Sequence, residues 1–438
     1  MELHNYQHRA VEFMKSRDYS LLAIEMGLGK TVSVLTYIRD TAPKTALIVA
    51  PKRVAETVWK QEAAKWYGDE FADKFVIVSG TPARRKKALA SNAPYKIIGR
   101  DNVTALARTE WDLLVLDELT SFKSISSQRT KAVLSMTARR AVGLTGTLLA
   151  NGAVDLYAQF AAIKVAYKWR CKNFFVWRAA YFRDTLAGSG LQFSKWEPRV
   201  GLDELLAPVR DNIFTLVAKD YLELPPVTET VQRVTLSAPE RDAYTKIDNF
   251  LQGPDGLGVS EDAKFSKLQT AACGFVYDEE HRDHWTAVPH PAKLEAVAEL
   301  CERYFAEGEQ VLLFYQFIAE ARWLHDRLTA KGVECSHVGK PDGLTKWHNH
   351  TAGILFAHPA SAGHGLNLQH EGRVIVWSSI TYNFEHFEQA NARLNRQGQT
   401  KPVSIHYFLA ANTCEEGKLK ALRAKDKTQT EFELQTKR

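Results

Sequence analysis

Ser20-Leu21-Leu22-Ala23-Ile24-Glu25-Met26-Gly27-Leu28-Gly29-Lys30-Thr31 is a short apolar run that breaks into two glycines, a lysine and a threonine and continues into a helix-compatible stretch. Strand, glycine-rich turn and helix in that order are the context a phosphate loop requires. Glycines let backbone N–H groups face phosphate oxygens, the helix N-terminus adds partial positive charge, and the Lys30 ammonium offsets β/γ-phosphate charge. Met26, Gly27, Leu28, Gly29, Lys30 and Thr31 are therefore candidate ATP-binding residues, with the Thr31 hydroxyl a candidate ligand to Mg²⁺. The strict pattern G-x-x-x-x-G-K-[ST] is not met, because Ile24 stands where its first glycine belongs. A glycine-rich turn with a solvent-facing lysine is the alternative reading.

Downstream, the apolar run Leu113–Leu116 ends in Asp117-Glu118. A buried strand would then deliver two carboxylates to the C-terminal edge of a sheet, where ligands bind in parallel α/β folds. Asp117 could hold Mg²⁺ through water while Glu118 orients and deprotonates an attacking water. By itself, an acidic pair after a strand is usually a loop start. Its order after Lys30-Thr31 is what makes it informative.

Apolar runs separated by helix-like stretches extend outward from this core: Ser20–Ile24, Thr45–Ala50, Phe75–Ser79, Lys96–Gly99, Leu113–Leu116 and Ala141–Leu144. They imply a parallel sheet covered on both faces. A second series, Gln310–Tyr315, Val333–His337, Gly353–Phe356, Arg373–Trp377 and Val403–Leu409, implies another. Pro225-Pro226, Pro239 and Gly253-Pro254-Asp255-Gly256 punctuate the region between. The expected organisation is an α/β lobe over 1–162, a helical insertion and linker over 163–290, a second α/β lobe over 291–413 and a charged, fraying helical tail over 414–438. A chain of 438 residues is long enough for two or three cores.

Composition is ordinary for a globular chain, with 25% charged residues and a net charge of +6 that fits a polyanionic partner without requiring one. Five widely spaced cysteines without a C-x-x-C pair indicate neither a disulfide framework nor a zinc knuckle. No run reaches the roughly 18 apolar residues of a membrane span, and Met1-Glu2-Leu3-His4-Asn5 lacks the basic start and apolar stretch of a signal peptide. The expected location is the cytoplasm, the host's if the chain is viral.

With these residues in place, the chain resembles superfamily 2 helicases, and within them the Swi/Snf-like branch of double-stranded DNA translocases. Tyr6-Gln7 resembles the adenine-reading motif, and Leu47-Ile48-Val49-Ala50-Pro51 with Trp59 and Trp66 resembles the first DNA-contact motif. Leu144-Thr145-Gly146-Thr147 with Asn151 resembles the motif that couples hydrolysis to lobe movement. Val311 to Phe317 and Gly363-His364-Gly365-Leu366-Asn367-Leu368 resemble the fourth and fifth motifs; Gln389, Arg393, Arg396, Gly398 and Gln399 fit the final Q-A-x-x-R-x-x-R-x-G-Q pattern. Leu224 to Glu229, with Leu236-Ser237, resembles the linker into the second lobe.

The resemblance implies two RecA-like parallel-sheet lobes, a monomer, and a DNA-dependent ATPase that moves along duplex or branched DNA in replication, recombination or repair. It implies ATP contacts from Gln7 and Gln389, catalytic roles for Lys30, Asp117, Glu118, Arg393 and Arg396, and coupling by Thr145, Gly146 and Thr147. Lys52, Arg53, Arg100, Asn102, Gln316, Ser361 and Asn367 occupy positions that resemble DNA-backbone contacts. Arg393 and Arg396 lie three apart, so on a helix they would share a face. A strand-separating helicase on forked or single-stranded DNA or on RNA, and a nucleic-acid-binding scaffold with an ATP switch, are the alternatives. The compact chain resembles small phage and bacterial members of the branch.

Departures from the pattern are Leu119-Thr120 after the acidic pair, where the branch has Ala-His, and Ala360 and Ala362 in the fifth motif. The missing histidine's hydrogen bond would have to come from elsewhere, with Thr120 a candidate. Ala162–Arg199 carries eight Lys/Arg against two acids among interleaved aromatics. It fits either a nucleic-acid platform or a helical projection packed on its aromatics. Arg84-Arg85-Lys86-Lys87 reads most simply as a solvated helix face, with a duplex contact as the secondary reading. His348-Asn349-His350 spells nuclease letters without the ββα-metal context, and Cys273 with His281, His284 and His290 fits no zinc spacing.

Overall fold

The computed structural model describes every residue except 1, 151, 188–195, 253–260, 278–284, 288–290, 363–365 and 438. The chain divides into two compact units, Met1–Leu222 with Lys425–Arg438, and Glu223–Ala424.

The first unit is built on a seven-stranded parallel sheet whose spatial order is Phe75–Val78, Tyr95–Gly99, Ala46–Ala50, Glu110–Asp117, Thr137–Thr145, Tyr19–Ile24, Ile213–Leu216. Its strands carry apolar stretches such as Leu21–Ile24, Ala46–Ala50 and Leu113–Leu116 because both faces are covered. Leu21 and Ala23 enter one core with Leu47, Val49, Leu114 and Leu116, while Leu22 and Ile24 enter another with Ile48, Leu113 and Val115. Alternate residues point to opposite faces of a strand. Each fully buried aliphatic side chain contributes about 1.5–3 kcal/mol.

The second unit holds a six-stranded parallel sheet in the order Val227–Val234, Val403–Ala410, Val374–Trp377, Val311–Phe314, Ile354–Ala357, Cys335–His337. Val311, Leu313, Ile354, Phe356, Val374 and Val376 share a core with Leu294, Val297 and Leu324 from helices Ala292–Ala306 and Ile318–Thr329. Two α/β units on parallel sheets agree with the expected fold class.

Several segments fall elsewhere than the sequence suggests. Ile213–Leu216, inside the expected insertion, is the edge strand of the first sheet and pairs with Leu21–Ile24. Val227–Val234, inside the expected linker, pairs along its whole length with Val403–Ala410. The aromatics of Ala162–Arg199 largely pack inward: Trp169, Trp177 and Phe182 lie in the first unit's core, whereas Tyr167 and Phe175 are exposed. The tail does not behave as a fraying appendage. Helix Cys414–Thr436 ends against the first sheet, where Phe432 is fully buried and Lys437 bridges to Thr215. Its many charges hide a sparse set of inward positions, Gln429, Phe432 and Thr436.

Arg84 to Lys87 sit on helix Pro82–Leu89, which buries no residue. His348 and His350 serve as local ties, to Glu371 at 2.9 Å and Gln310 at 2.6 Å. Cys273 packs beside Lys293 and Ser379, and His281, His284 and His290 lie outside the described residues. Among the described residues no helix is long and apolar enough to cross a membrane.

Candidate functional site

Strand order assembles the first unit's site. Glu110–Asp117, Thr137–Thr145 and Tyr19–Ile24 are adjacent, with Asp117 in register with Leu144 and Ala23 with Thr145. Segments remote in sequence therefore end side by side at the C-terminal edge: the Glu25–Thr31 loop, Asp117-Glu118 and Thr145-Gly146-Thr147. A side chain on Gly146 would start 3.8 Å from Lys30 Nζ and 3.7 Å from the Ile24 carbonyl oxygen. The Thr145-Gly146-Thr147 segment thus lies against the glycine-rich loop.

The loop turns on two left-handed glycines, Gly27 at φ 84° and Gly29 at φ 78°. Gly29 caps helix Lys30–Thr41, which Val34, Leu35 and Ile38 bury against the sheet. A Cβ on Gly29 would come within 2.2 Å of Gln7 Nε2, so the close approach as well as the dihedral requires glycine. Gln7 reaches the loop from helix Asn5–Lys15. Its Oε1 accepts the His4 N–H at 2.9 Å and its Nε2 donates to the Leu28 carbonyl at 3.3 Å. Gln7 thus fixes the loop that would hold a nucleotide.

Lys30 Nζ donates to the Ile24 carbonyl at 2.7 Å and the Glu25 carbonyl at 3.4 Å. Phosphate oxygens would be stronger, charge-assisted partners. Asp117 is buried, and burial first and then the neighbouring Glu118 charge push its carboxyl up to about 7; Lys30, the Trp59 indole N–H and the Glu118 backbone N–H pull the other way. A buried carboxylate raised in this way would gain from an adjacent cation. Glu118 sits at φ 53°, ψ 68°, a left-handed conformation uncommon for a side-chain-bearing residue and concentrated at active sites. The donor set, cradle and charge therefore fit Mg²⁺ and a nucleotide polyphosphate, with Thr31 and Asp117 able to hold the ion.

Thr145 is fully buried and its hydroxyl accepts the Thr147 N–H at 3.1 Å, which shapes the coupling turn. Asn151, the last residue of that motif, lies outside the described residues. Thr120 is buried, and its hydroxyl has no hydrogen-bond partner among the described residues.

Two links escaped the sequence. Trp59, quoted with a DNA-contact motif, is fully buried and donates its indole N–H to Asp117 Oδ2 at 3.1 Å. Arg100 Nη1 donates to Ser121 Oγ at 2.6 Å, and the Ser121 N–H bonds the Glu118 carbonyl at 2.9 Å. No local signal marks the Trp59–Asp117 or Arg100–Ser121 bond, since each joins elements well apart in the sequence. Lys52 and Arg53 are exposed at a helix start, and Asn102 is half-buried in the turn after Gly99.

In the second unit, Gln316 and Ser361 follow strands Val311–Phe314 and Ile354–Ala357, which pair Phe314 with Ala357, so both residues lie at one sheet edge. Ser361 and Asn367 are exposed, and Gln316 is half-buried. Gly363, His364 and Gly365 lie outside the described residues. Gln389 is buried on helix Phe384–Asn391 and donates to Glu385 Oε1 at 3.2 Å. Arg393 and Arg396 do not share a helical face, because the helix ends at Asn391, whose side chain is held by Trp377 and Tyr407. They converge instead through the following turn. Gln399 pins that turn, donating to the Gln369, Gly372 and Leu394 carbonyls and accepting the Thr400 and Lys401 N–H groups.

A family model described as the SNF2-related domain matches residues 6–278. "Putative protein p41" of Acyrthosiphon pisum secondary endosymbiont phage 1 is 30% identical, covering 94% of this chain and 93% of its own length. An uncharacterized ATP-dependent helicase of Mycoplasma pneumoniae is 24% identical over 94% of this chain, and chromatin structure-remodeling complex subunit snf21 of Schizosaccharomyces pombe is 23% identical over 95%. The chain spans only 40% and 38% of those two longer relatives. The Sulfolobus solfataricus SWI2/SNF2 ATPase core in complex with dsDNA aligns at 20% identity with a TM-score of 0.45, covering 100% of this chain and 95% of that one. With the phosphate loop, acidic pair and coupling turn gathered at one sheet edge and the family match spanning most of the chain, the protein belongs to the SNF2-related family of ATPases.

Proposed function

We propose that this protein is a DNA-stimulated ATPase that moves along duplex DNA. The carrying observation is the convergence of Lys30, Asp117-Glu118 and Thr145-Gly146-Thr147 at one edge of the first sheet. Backbone N–H groups of Gly27 to Thr31 and the Lys30 ammonium would cradle the phosphates, with Gln7 bracing the loop. Mg²⁺, when bound, supplies charge that offsets the β/γ oxygens, held by Thr31 and Asp117. Glu118 is assigned to orienting the attacking water and taking its proton. Arg393 and Arg396 are assigned to the charge that develops in the transition state.

Lys52, Arg53, Arg100, Asn102, Gln316, Ser361 and Asn367 are assigned to the DNA backbone, since sequence-independent movement calls for phosphate and sugar contacts. The phage relative supports a role in phage or bacterial DNA replication, recombination or repair, carried out in the cytoplasm by a monomer. The test compares ATPase stimulation by duplex DNA, single-stranded DNA and RNA, followed by third-strand displacement and fork unwinding. Duplex stimulation with displacement and no unwinding is the expected result. Unwinding would select a strand-separating helicase, and an ATPase indifferent to nucleic acid would leave a scaffold with a switch. Lys30→Ala should abolish turnover and leave DNA affinity intact.

A further inference from the structure

The helix that follows Pro51 carries exposed Lys52 and Arg53 at its start and fully buried Trp59 further along. Between them, Val54–Val58 forms a π-turn in which the Trp59 N–H bonds the Val54 carbonyl five residues back. Such turns insert one residue into a helix and occur often at functional sites. The segment is held firmly at both ends. Ala55 N–H bonds the Pro51 carbonyl at 2.9 Å, Thr57 Oγ1 donates to the Arg53 carbonyl at 2.8 Å, and Val54, Ala55, Trp59 and Ala63 pack into one core. At the far end the Trp59 indole N–H meets Asp117 Oδ2 at 3.1 Å, while Asp117 Oδ1 accepts the Glu118 N–H, also at 3.1 Å. Both carboxylate oxygens thus have a fixed donor, one of them on the helix that begins with Lys52.

A second tie runs beside the first. The position of a Gly99 Cβ lies 3.5 Å from Lys52 Cα, so the helix start abuts the strand end that launches Arg100. Arg100 in turn bonds Ser121, which bonds the Glu118 carbonyl. The exposed Lys52–Arg53 start and the half-buried Arg100 turn therefore lie side by side; Arg100 is hydrogen-bonded to the turn beside the acidic pair, and Trp59, further along the helix, to Asp117 itself.

We infer that Trp59 is a positioning residue for Asp117, and that its indole N–H makes the orientation of this carboxylate depend on how the Lys52–Arg53 helix start is seated. Duplex DNA pressing on that start is thereby sensed at the Mg²⁺-holding carboxylate. The inference rests on the reading that Asp117 holds Mg²⁺ and Lys52–Arg53 meets DNA.

The full chain is tested as wild type, as Trp59→Phe, and with Trp59 replaced by 3-benzothienylalanine, which keeps the bicyclic shape in the core and removes only the donor. Two quantities are measured: the Mg²⁺ concentration for half-saturation of fluorescent ADP binding, and the ratio of ATPase with duplex DNA to ATPase without it. Losing one buried hydrogen bond to a charged group should raise the Mg²⁺ requirement about tenfold and lower the DNA stimulation ratio about tenfold. Nucleotide binding in EDTA and duplex affinity should stay at wild-type values. An unchanged Mg²⁺ requirement or an unchanged stimulation ratio in the isosteric chain overturns the inference. So does an equal fall of basal and stimulated turnover, the signature of simple loss of structure. Failure of the underlying reading would show separately, as a wild-type ATPase that does not respond to DNA.

Discussion

Arg393 and Arg396 donate to one acceptor, the Leu366 carbonyl oxygen, at 3.3 and 3.2 Å. Two guanidiniums on one carbonyl bring like charges together, and burial lowers the Arg396 pKa. Such a pair gains when an anion arrives. Arg396→Ala should lower kcat by on the order of a thousandfold while ATP still binds, because the lost interaction belongs to the transition state. Steady-state ATPase kinetics beside fluorescent-nucleotide binding would show it; equal losses in both would place Arg396 in ground-state binding.

Gly29→Ala tests the loop independently. The dihedral at φ 78° disfavours a side chain, and the new methyl would meet Gln7 Nε2. The strain, about 1 kcal/mol or more, must be relieved by moving the loop or expelling Gln7. KM for ATP should rise at least about fivefold, and pairing Gly29→Ala with Gln7→Ala should recover part of it. No recovery in the double variant would show that the dihedral alone sets the requirement.

In the second unit, Lys293 Nζ lies 2.7 Å from Glu415 Oε1, with side-chain exposures of 0% and 2%. Glu415 Oε2 also accepts the Ala410 N–H at 2.8 Å. Lys293→Met strands a buried carboxylate and should destabilise this unit by about 3–5 kcal/mol. Adding Glu415→Gln removes the uncompensated charge and should restore much of that loss. Hydrogen exchange at Val403–Ala410 reports the unit directly, and unaltered protection in Lys293→Met would refute the ion pair's role.

Glu433, on the last helix, bonds Gln429 at 2.9 Å. Burial first, with the nearby Glu25 charge adding to it, raises its carboxyl from 4.5 to about 7. The folded chain then keeps this proton up to about pH 7, whereas the unfolded chain releases it near 4.5. Stability is therefore lost as pH rises through that window. Glu433→Gln should match wild type near pH 4.5 and exceed it at pH 8 by about 1–2 kcal/mol after solvent screening. Thermal melts across the range would decide, and parallel curves for the two proteins would exclude the effect.

The sheets were legible because a strand buried on both faces must be apolar throughout, so Leu47–Ala50, Leu113–Leu116 and Val374–Trp377 stand out from their surroundings. The edge strand Val227–Val234 of the second sheet carries no such mark. It is largely exposed, has only Val227, Val231 and Val234 as apolar residues and follows Pro225-Pro226, which makes it look like a linker. Arg393 and Arg396 were legible as residues but not as a geometry, since the helix ends before either.

By itself the sequence determined the chemistry available to this protein: glycines that allow a phosphate turn, a lysine and threonine after them, a carboxylate pair and two arginines, each set contiguous because short-range geometry demands it. Tertiary structure alone decided what those groups feel. Trp59 lies 58 residues from Asp117, and Gln429 lies 280 residues from Leu149, whose N–H it holds at 3.1 Å. Hydrogen bonds and desolvation depend on distance in space, and strand order rather than chain order sets that distance.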